Sequence, residues 1–414
     1  MSISSRTRSK LNQRESISLF LNLPEGVHDE IFLKLPAKSI LVSWCVCKLF
    51  CNLLSKPNFI KNHSNRTNQS KTSNPKLLFT QIQSSGGKPP LIYSMPIDYS
   101  SIPSAPPSDG ALLINYPFEF LGSCNGLICL RIFSIDRANF HKEFISATKF
   151  CILNPLTREF KEFKRPEESY SNVSVSYGFG YDSNIDDYKL VMISDCEKGA
   201  CCKIDVYTVK SDSWSSIQGT VKFSCLSGEG YNGVFFNGCL HWFGSIGSHE
   251  TSSEVIFSFD ISNEIVVNMP LPKDIMLPTD YTGEVTKNVG VWGDCIGLAI
   301  FWDPVRIDVW VMQEYGVKES WIRKYTTTRL PARLQLQEIP FWKPQWCFNN
   351  GEILVDCGRQ ILLYEPKTGR VTLVVIRDIT MGRSRESYVE SIVSLGSGTY
   401  LEKPITDGVM KNSQ

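Results

Sequence analysis

The sequence predicts an α+β chain of more than one domain: a small N-terminal unit of three helices, then a large, mainly antiparallel β domain built as a propeller of repeated sheets. Three observations predict it. The 414 residues are 42% hydrophobic and 11% aromatic, more than a single small core requires. Helical periodicity is confined to residues 23–63. Beyond about Pro75, short apolar strands alternate with polar turns at a nearly constant period.

In the helical unit, Pro24 suits a first helical position, and Glu25, Asp29 and Glu30 complement the positive end of the helix. Val27, Ile31 and Leu35 recur every four residues, and Leu35-Pro36 stops the helix. A second apolar face runs through Ile40, Leu41, Trp44, Cys45 and Leu49, and Pro57 breaks the chain again before Phe59 and Ile60. Three short helices make a poor core alone, so such a unit completes its burial against a partner. The chain therefore divides into a Ser- and Arg-rich disordered tail (1–22), the helical unit (23–66), a polar linker (67–75), the β domain (76–400) and a second tail (401–414). Ser100–Gly110, with its Pro and Ser, reads as an exposed loop.

The β domain carries the repeat. Apolar strands start near Ile152, Ile204, Ile256, Ile307 and Ile361, spaced 52, 52, 51 and 54 residues apart, close to the roughly 50 residues of a kelch-like propeller blade. Asn125-Gly126, Asn237-Gly238 and Asn350-Gly351 precede three of them, and Asn-Gly supplies the positive φ values of a tight hairpin. Leu77–Met95 is read as a worn sixth unit, and the apolar run Tyr388–Leu395 as the strand that pairs with it to close the ring. An open β-sandwich of the same hairpins is the alternative.

Charge excludes several partners. Forty-three basic and 42 acidic residues leave a net +1, which draws the chain neither to nucleic acid nor to an anionic membrane. Residues 1–72 hold a local +7 and the remainder −6. No apolar stretch approaches the roughly 20 residues that cross a bilayer, and no secretory core is recognisable. The expected location is the cytosol or nucleus, with reduced cysteines and with Asn62, Asn65 and Asn68 unglycosylated.

The segment Leu23-Pro24 to Leu41, with Cys45-Val46-Cys47-Lys48 and Lys56-Pro57-Asn58-Phe59-Ile60, closely resembles the plant F-box pattern. Gly122-Ser-Cys-Asn-Gly-Leu-Ile-Cys, Ile152-Leu-Asn-Pro-Leu-Thr-Arg, Tyr177-Gly-Phe-Gly-Tyr-Asp, Ile204-Asp-Val-Tyr and Trp214 resemble the F-box-associated domain. Leu240-His-Trp-Phe, the run from Trp310 to Tyr325, and Tyr388–Leu395 look most like S-locus F-box and S-locus F-box-like proteins. The family usually has a basic residue within Val42–Trp44 and a Trp at the position of Phe50; here Ser43, Trp44, Leu49 and Phe50 keep bulk and lose charge. The resemblance implies a non-enzymatic subunit. It would bind a Skp-family adaptor, and through it a cullin, by way of Leu23, Pro24, Ile31, Leu35, Pro36, Leu41, Val46 and Leu53. Its β domain would hold a target protein for ubiquitination, which for S-locus members is a style ribonuclease (S-RNase). A ligase-independent or lectin-like binding module is the alternative function.

Sharper chemical readings are outweighed. Gly122-Ser-Cys124-Asn-Gly126 imitates a nucleophile elbow, but it opens a strand in a repeat and lacks an orienting His. Cys196, Cys201 and Cys202 form no Cys-x-x-Cys pair, and Cys45, Cys47 and Cys51 read as small hydrophobes of the helices, so no metal is expected. Gly178-Phe-Gly180 lacks the third glycine of a dinucleotide fingerprint and reads as a strand turn, so no cofactor is expected either. His241, Trp242, Trp302, Trp310, Trp321, Trp342 and Trp346 are read as blade core rather than a stacking site, and Tyr315–Glu319 as an exposed connector.

Overall fold

The computed structural model describes residues 23–69, 75–81, 91–97, 109–113, 118–135, 145–165, 175–195, 202–218, 223–225, 231–247, 253–273, 285–302, 306–328, 342–358, 360–375 and 381–401. The first expected tail, the second apart from Leu401, most of the loop expected at 100–110, and Cys196 and Cys201 lie outside them.

Four helices come first, α1 (Glu25–Phe32), α2 (Ala37–Trp44), α3 (Lys48–Leu54) and α4 (Pro57–Gln69), where the sequence predicts three. The extra break falls at Cys47, whose extended backbone (φ −158°) divides the apolar run Ile40–Leu49 between two helices. A continuous helix would set Leu53 on the far side from Ile40; the break brings Phe32, Ile40, Phe50, Leu53, Leu54 and Phe59 into one core. The helix α4 also runs into the expected linker. No helix among the described residues is long and apolar enough to cross a membrane.

Six antiparallel sheets follow, five of four strands and one of five, arranged as the blades of a propeller. Ile152, Ile204, Ile256, Ile307 and Ile361 occupy the same place in successive blades, the third strand from the axis. The worn unit is the first blade, whose strands Pro75–Gln81 and Leu91–Pro96 overlap the predicted segment and extend one or two residues beyond it. Asn125 and Gly126 (φ 50° and 82°) and Asn237 and Gly238 (φ 49° and 77°) make the tight turns expected of them; at the third Asn-Gly only Gly351 is left-handed (φ 90°), and the turn is wider.

The core lies between blades rather than within them. Each apolar cluster of the ring draws on two neighbours: Phe150, Tyr177 and Tyr207 join blades two and three, and Trp292, Trp342 and Tyr364 join blades five and six. Leu77, Phe79, Leu354 and Ile361 join the first blade to the last. A single blade thus has no core of its own. Gly178 and Gly180 lie inside a strand rather than at a turn: a Cβ on Gly178 would come within 2.6 Å of the Trp242 ring, so the glycines allow blade four to close on blade three. Trp242, Trp321 and Trp342 are buried, in keeping with the core reading.

The ring closes, but on a strand that begins seven residues before the apolar run Tyr388–Leu395 and shares only Tyr388 and Val389 with it. The closing strand is Met381–Val389, paired with Pro75–Gln81 so that Tyr388 faces Lys76 and Ser387 faces Leu77. It reads as polar because it is the innermost strand of its blade: Ser384, Arg385 and Glu386 are buried around the axis, with the Arg385 guanidinium 2.7 Å from Asp356. After Val389 the chain leaves the sheet.

Candidate functional site

The helical module sorts its apolar residues into two sets. Phe32, Ile40, Phe50 and Leu54 face inward, with the rings of Phe32 and Phe50 edge to face at 4.9 Å. Phe50 is therefore a core residue, and its difference from the usual Trp changes packing rather than a surface. Leu23, Val27, Ile31, Val42, Val46 and Leu49 face solvent, and Val42 and Val46 are 67% and 65% exposed. That is six of the thirteen large exposed hydrophobics among the described residues, drawn together on one small unit. Such a concentration marks an interaction surface.

Of the residues expected to meet an adaptor, Leu23, Pro24, Ile31, Pro36 and Val46 are exposed, and Leu35 and Leu41 are half-buried against the helical core. Leu53 is a correction: it is 3% exposed and belongs to that core. Its place on α3 turns it inward beside Leu54. Val27, Val42 and Leu49 join the exposed set, and the four-residue steps from Val27 to Ile31 and from Val42 to Val46 are the signal that points to two of them.

A strap seats the module on the ring. Past the closing strand, residues 390–401 run along the turn between the outer strands of blade two. The Asn154 side-chain amide donates to the carbonyl oxygens of Ser391 and Val393 at 2.9 and 2.8 Å, and its carbonyl oxygen accepts from the Leu156 N–H at 2.9 Å. The Glu159 carboxylate accepts from the N–H groups of Leu395 and Ser397, each at 2.9 Å. The motif from Ile152 to Glu159 is thus a clamp, and what it holds in place is Ile392, which is 1% exposed inside the helical core. Burying such a side chain stabilises by about 1.5–3 kcal/mol. Gly126 sits directly beneath the strap: a Cβ there would lie 2.3 Å from that of Ser391.

Polar contacts fix the register of α4. Lys61 pairs with Asp186 at 3.0 Å, and the Asn68 amide donates to Asn125 at 2.7 Å, so the helix rests on the inner turns of blades three and two. Hydrogen bonds from Tyr181 and Lys61 hold the Asp186 carboxyl at about 2. These groups are exposed, so they orient more than they stabilise.

All these contacts lie on the face that carries the turns between strands one and two and between strands three and four of each blade. The strand ends leading into residues 166–174, 274–284 and 329–341, which connect one blade to the next, lie on the opposite face. Between the faces runs a channel of about 320 Å³, lined by the innermost strands. In it Lys343 pairs with Glu386 at 3.2 Å, and Ser123 donates to the same carboxylate at 2.9 Å. The pair cancels its own charge. Cys124 is buried beside this channel, and burial pushes its thiol well above its ordinary range, the reverse of what a thiolate nucleophile needs. Cys202 is buried in a strand of blade three. His241 is enclosed between Val234 and Tyr315.

Comparison with known proteins agrees with this anatomy. Residues 20–62 match the F-box domain, and residues 94–395 match the F-box associated beta propeller domain. The Arabidopsis thaliana F-box/kelch-repeat protein At3g23880 is 26% identical over 90% of this chain and 96% of its own length. The F-box protein CPR1 of the same plant is 25% identical over 90% of this chain and 88% of its own.

Proposed function

Because the chain belongs to the F-box proteins that carry an F-box-associated β-propeller domain, we propose that it is the substrate-recognition subunit of an SCF-type cullin ubiquitin ligase. The observation that carries this reading is the exposed apolar set Leu23, Val27, Ile31, Val42, Val46 and Leu49, on a helical module whose other large apolar residues pack into its own core around Ile392. In this reading the set receives a Skp-family adaptor, which bridges to the cullin, and Pro24 and Pro36 border the same surface. The target protein binds the opposite face, where the strand ends leading into residues 166–174, 274–284 and 329–341 lie. The strap then keeps adaptor and target at a set separation, so transfer gains from proximity and this chain contributes no reacting group. The cytosol or nucleus is the matching compartment.

The test is co-purification of the full chain with a Skp-family adaptor and a cullin. Recovery of both is expected. Recovery of neither would favour a ligase-independent β-propeller binding module.

A narrower reading concerns the target. Residues after 72 carry a net −6, and together with the S-locus-like segments this favours a basic partner such as a style S-RNase. Binding to a panel of style ribonucleases at two salt concentrations tests it: association that slows as salt rises is expected, and no binding at low salt rejects it.

A further inference from the structure

Beneath α4 lies a cavity of about 310 Å³, at the small end of the roughly 300–1,000 Å³ of small-molecule sites, and three parts of the fold enclose it. The helix contributes Ile60 and, one turn on, Ser64; the strap contributes Val393 and Leu395; the turns of blade three contribute Tyr188 and Val209. The apolar lining is incompletely covered: Ile60, Val393 and Leu395 stay half-buried, although Ile392 beside them is 1% exposed. Ser64 is 5% exposed, and its hydroxyl has no hydrogen-bond partner among the described residues. Ser43, Ser55 and Thr67 of the same module each donate to the carbonyl oxygen four residues back, and Ser64 does not.

We propose that this cavity binds a small neutral molecule, apolar apart from one carbonyl or hydroxyl oxygen that pairs with Ser64, and that its occupation fastens α4 and the strap to the propeller. The inference stands apart from the adaptor reading. The unmade bond at Ser64 carries the polar part, because a buried hydroxyl without a partner is costly and an oxygen of the ligand meets it. The half-buried Ile60, Val393 and Leu395 carry the apolar part, since a ligand between them removes their remaining surface from water. The charged groups at the mouth exclude an ion. Asp186 takes both Lys61 and Lys210, at 3.0 and 3.5 Å, and the Asp187 carboxylate accepts from the N–H groups of Tyr188 and Lys210, so two cations already face two anions.

The test adds camphor, a neutral ketone, or menthol, a neutral alcohol, to the full chain at millimolar concentration and follows thermal unfolding and amide hydrogen exchange. A higher unfolding temperature is expected, with slower exchange in α4 and residues 390–396 and no change in blades five and six. Ser64→Ala is expected to unfold without the probe at the wild-type temperature or above, because no bond is lost, and to bind each probe about fivefold more weakly. Leu395→Trp, which fills the cavity, is expected to abolish the response. No stabilisation of the wild type by either probe overturns the proposal, as does equal probe binding by wild type and Ser64→Ala. A lower unfolding temperature of Ser64→Ala without the probe overturns it in favour of a structural hydroxyl. Stronger stabilisation by decanoate than by menthol overturns the neutral class of ligand.

Discussion

The side-chain amide of Asn154 holds the backbone carbonyl of Ser391 at 2.9 Å across 237 residues of sequence, and this bond ties the F-box to the propeller. Asn154 is fully buried and uses both ends of its amide, bonding the strap with one and its own turn with the other.

Asn154→Ala leaves two strap carbonyls without their donor. A loss of about 1–3 kcal/mol in unfolding free energy is expected, with faster amide hydrogen exchange in α4 and around residue 392. Unchanged exchange in α4 would show that the clamp does not hold the helices.

Two truncations separate ring closure from docking. Ending the chain at 380 removes the closing strand and exposes the edge of Pro75–Gln81, so the whole β domain should melt at a lower temperature. Ending it after Val389 keeps the ring but removes Ile392, so the helices should unfold first, in a separate transition. One shared transition in the longer truncation would mean that the strap is dispensable.

Surface and core positions on the F-box should respond in opposite ways. Leu23→Ala with Pro24→Ala, or Val46→Asp alone, is expected to weaken adaptor co-purification with little change in unfolding. Leu53→Ala should instead cost about 2–5 kcal/mol of stability by opening a cavity. Adaptor binding that ignores Val46→Asp would remove this residue from the interface.

Acid should loosen the ring through His241. Burial lowers its folded pKa to about 4 from the ordinary 6.5. Between these values the unfolded chain binds a proton that the folded one refuses, so stability holds above about pH 6.5 and falls toward pH 4, by up to about 3 kcal/mol. Burial lowers His63 in the same direction. Urea midpoints at pH 7.5 and pH 5 should differ for the wild type and differ less for His241→Gln; equal differences would clear His241.

Local pattern alone determined a good part of this protein. The four-residue steps and prolines of residues 23–63 located the helices, and the 51–54 residue period of the Ile-led strands announced the blades, because helical and strand periodicity are properties of neighbouring residues. The F-box pattern likewise sits in contiguous residues. Only the tertiary structure decided that Leu53 turns inward while Val42 turns outward, since both are apolar residues of short helices and the break at Cys47 sets their directions. It alone identified Met381–Val389 as the closing strand: an inner strand meets polar groups of the neighbouring blade, so it carries Arg385, paired with Asp356, and Glu386, paired with Lys343, rather than an apolar run. The clamp on Ser391 and the cavity beside Ser64 join residues far apart in sequence, and no local period encodes a contact of that kind.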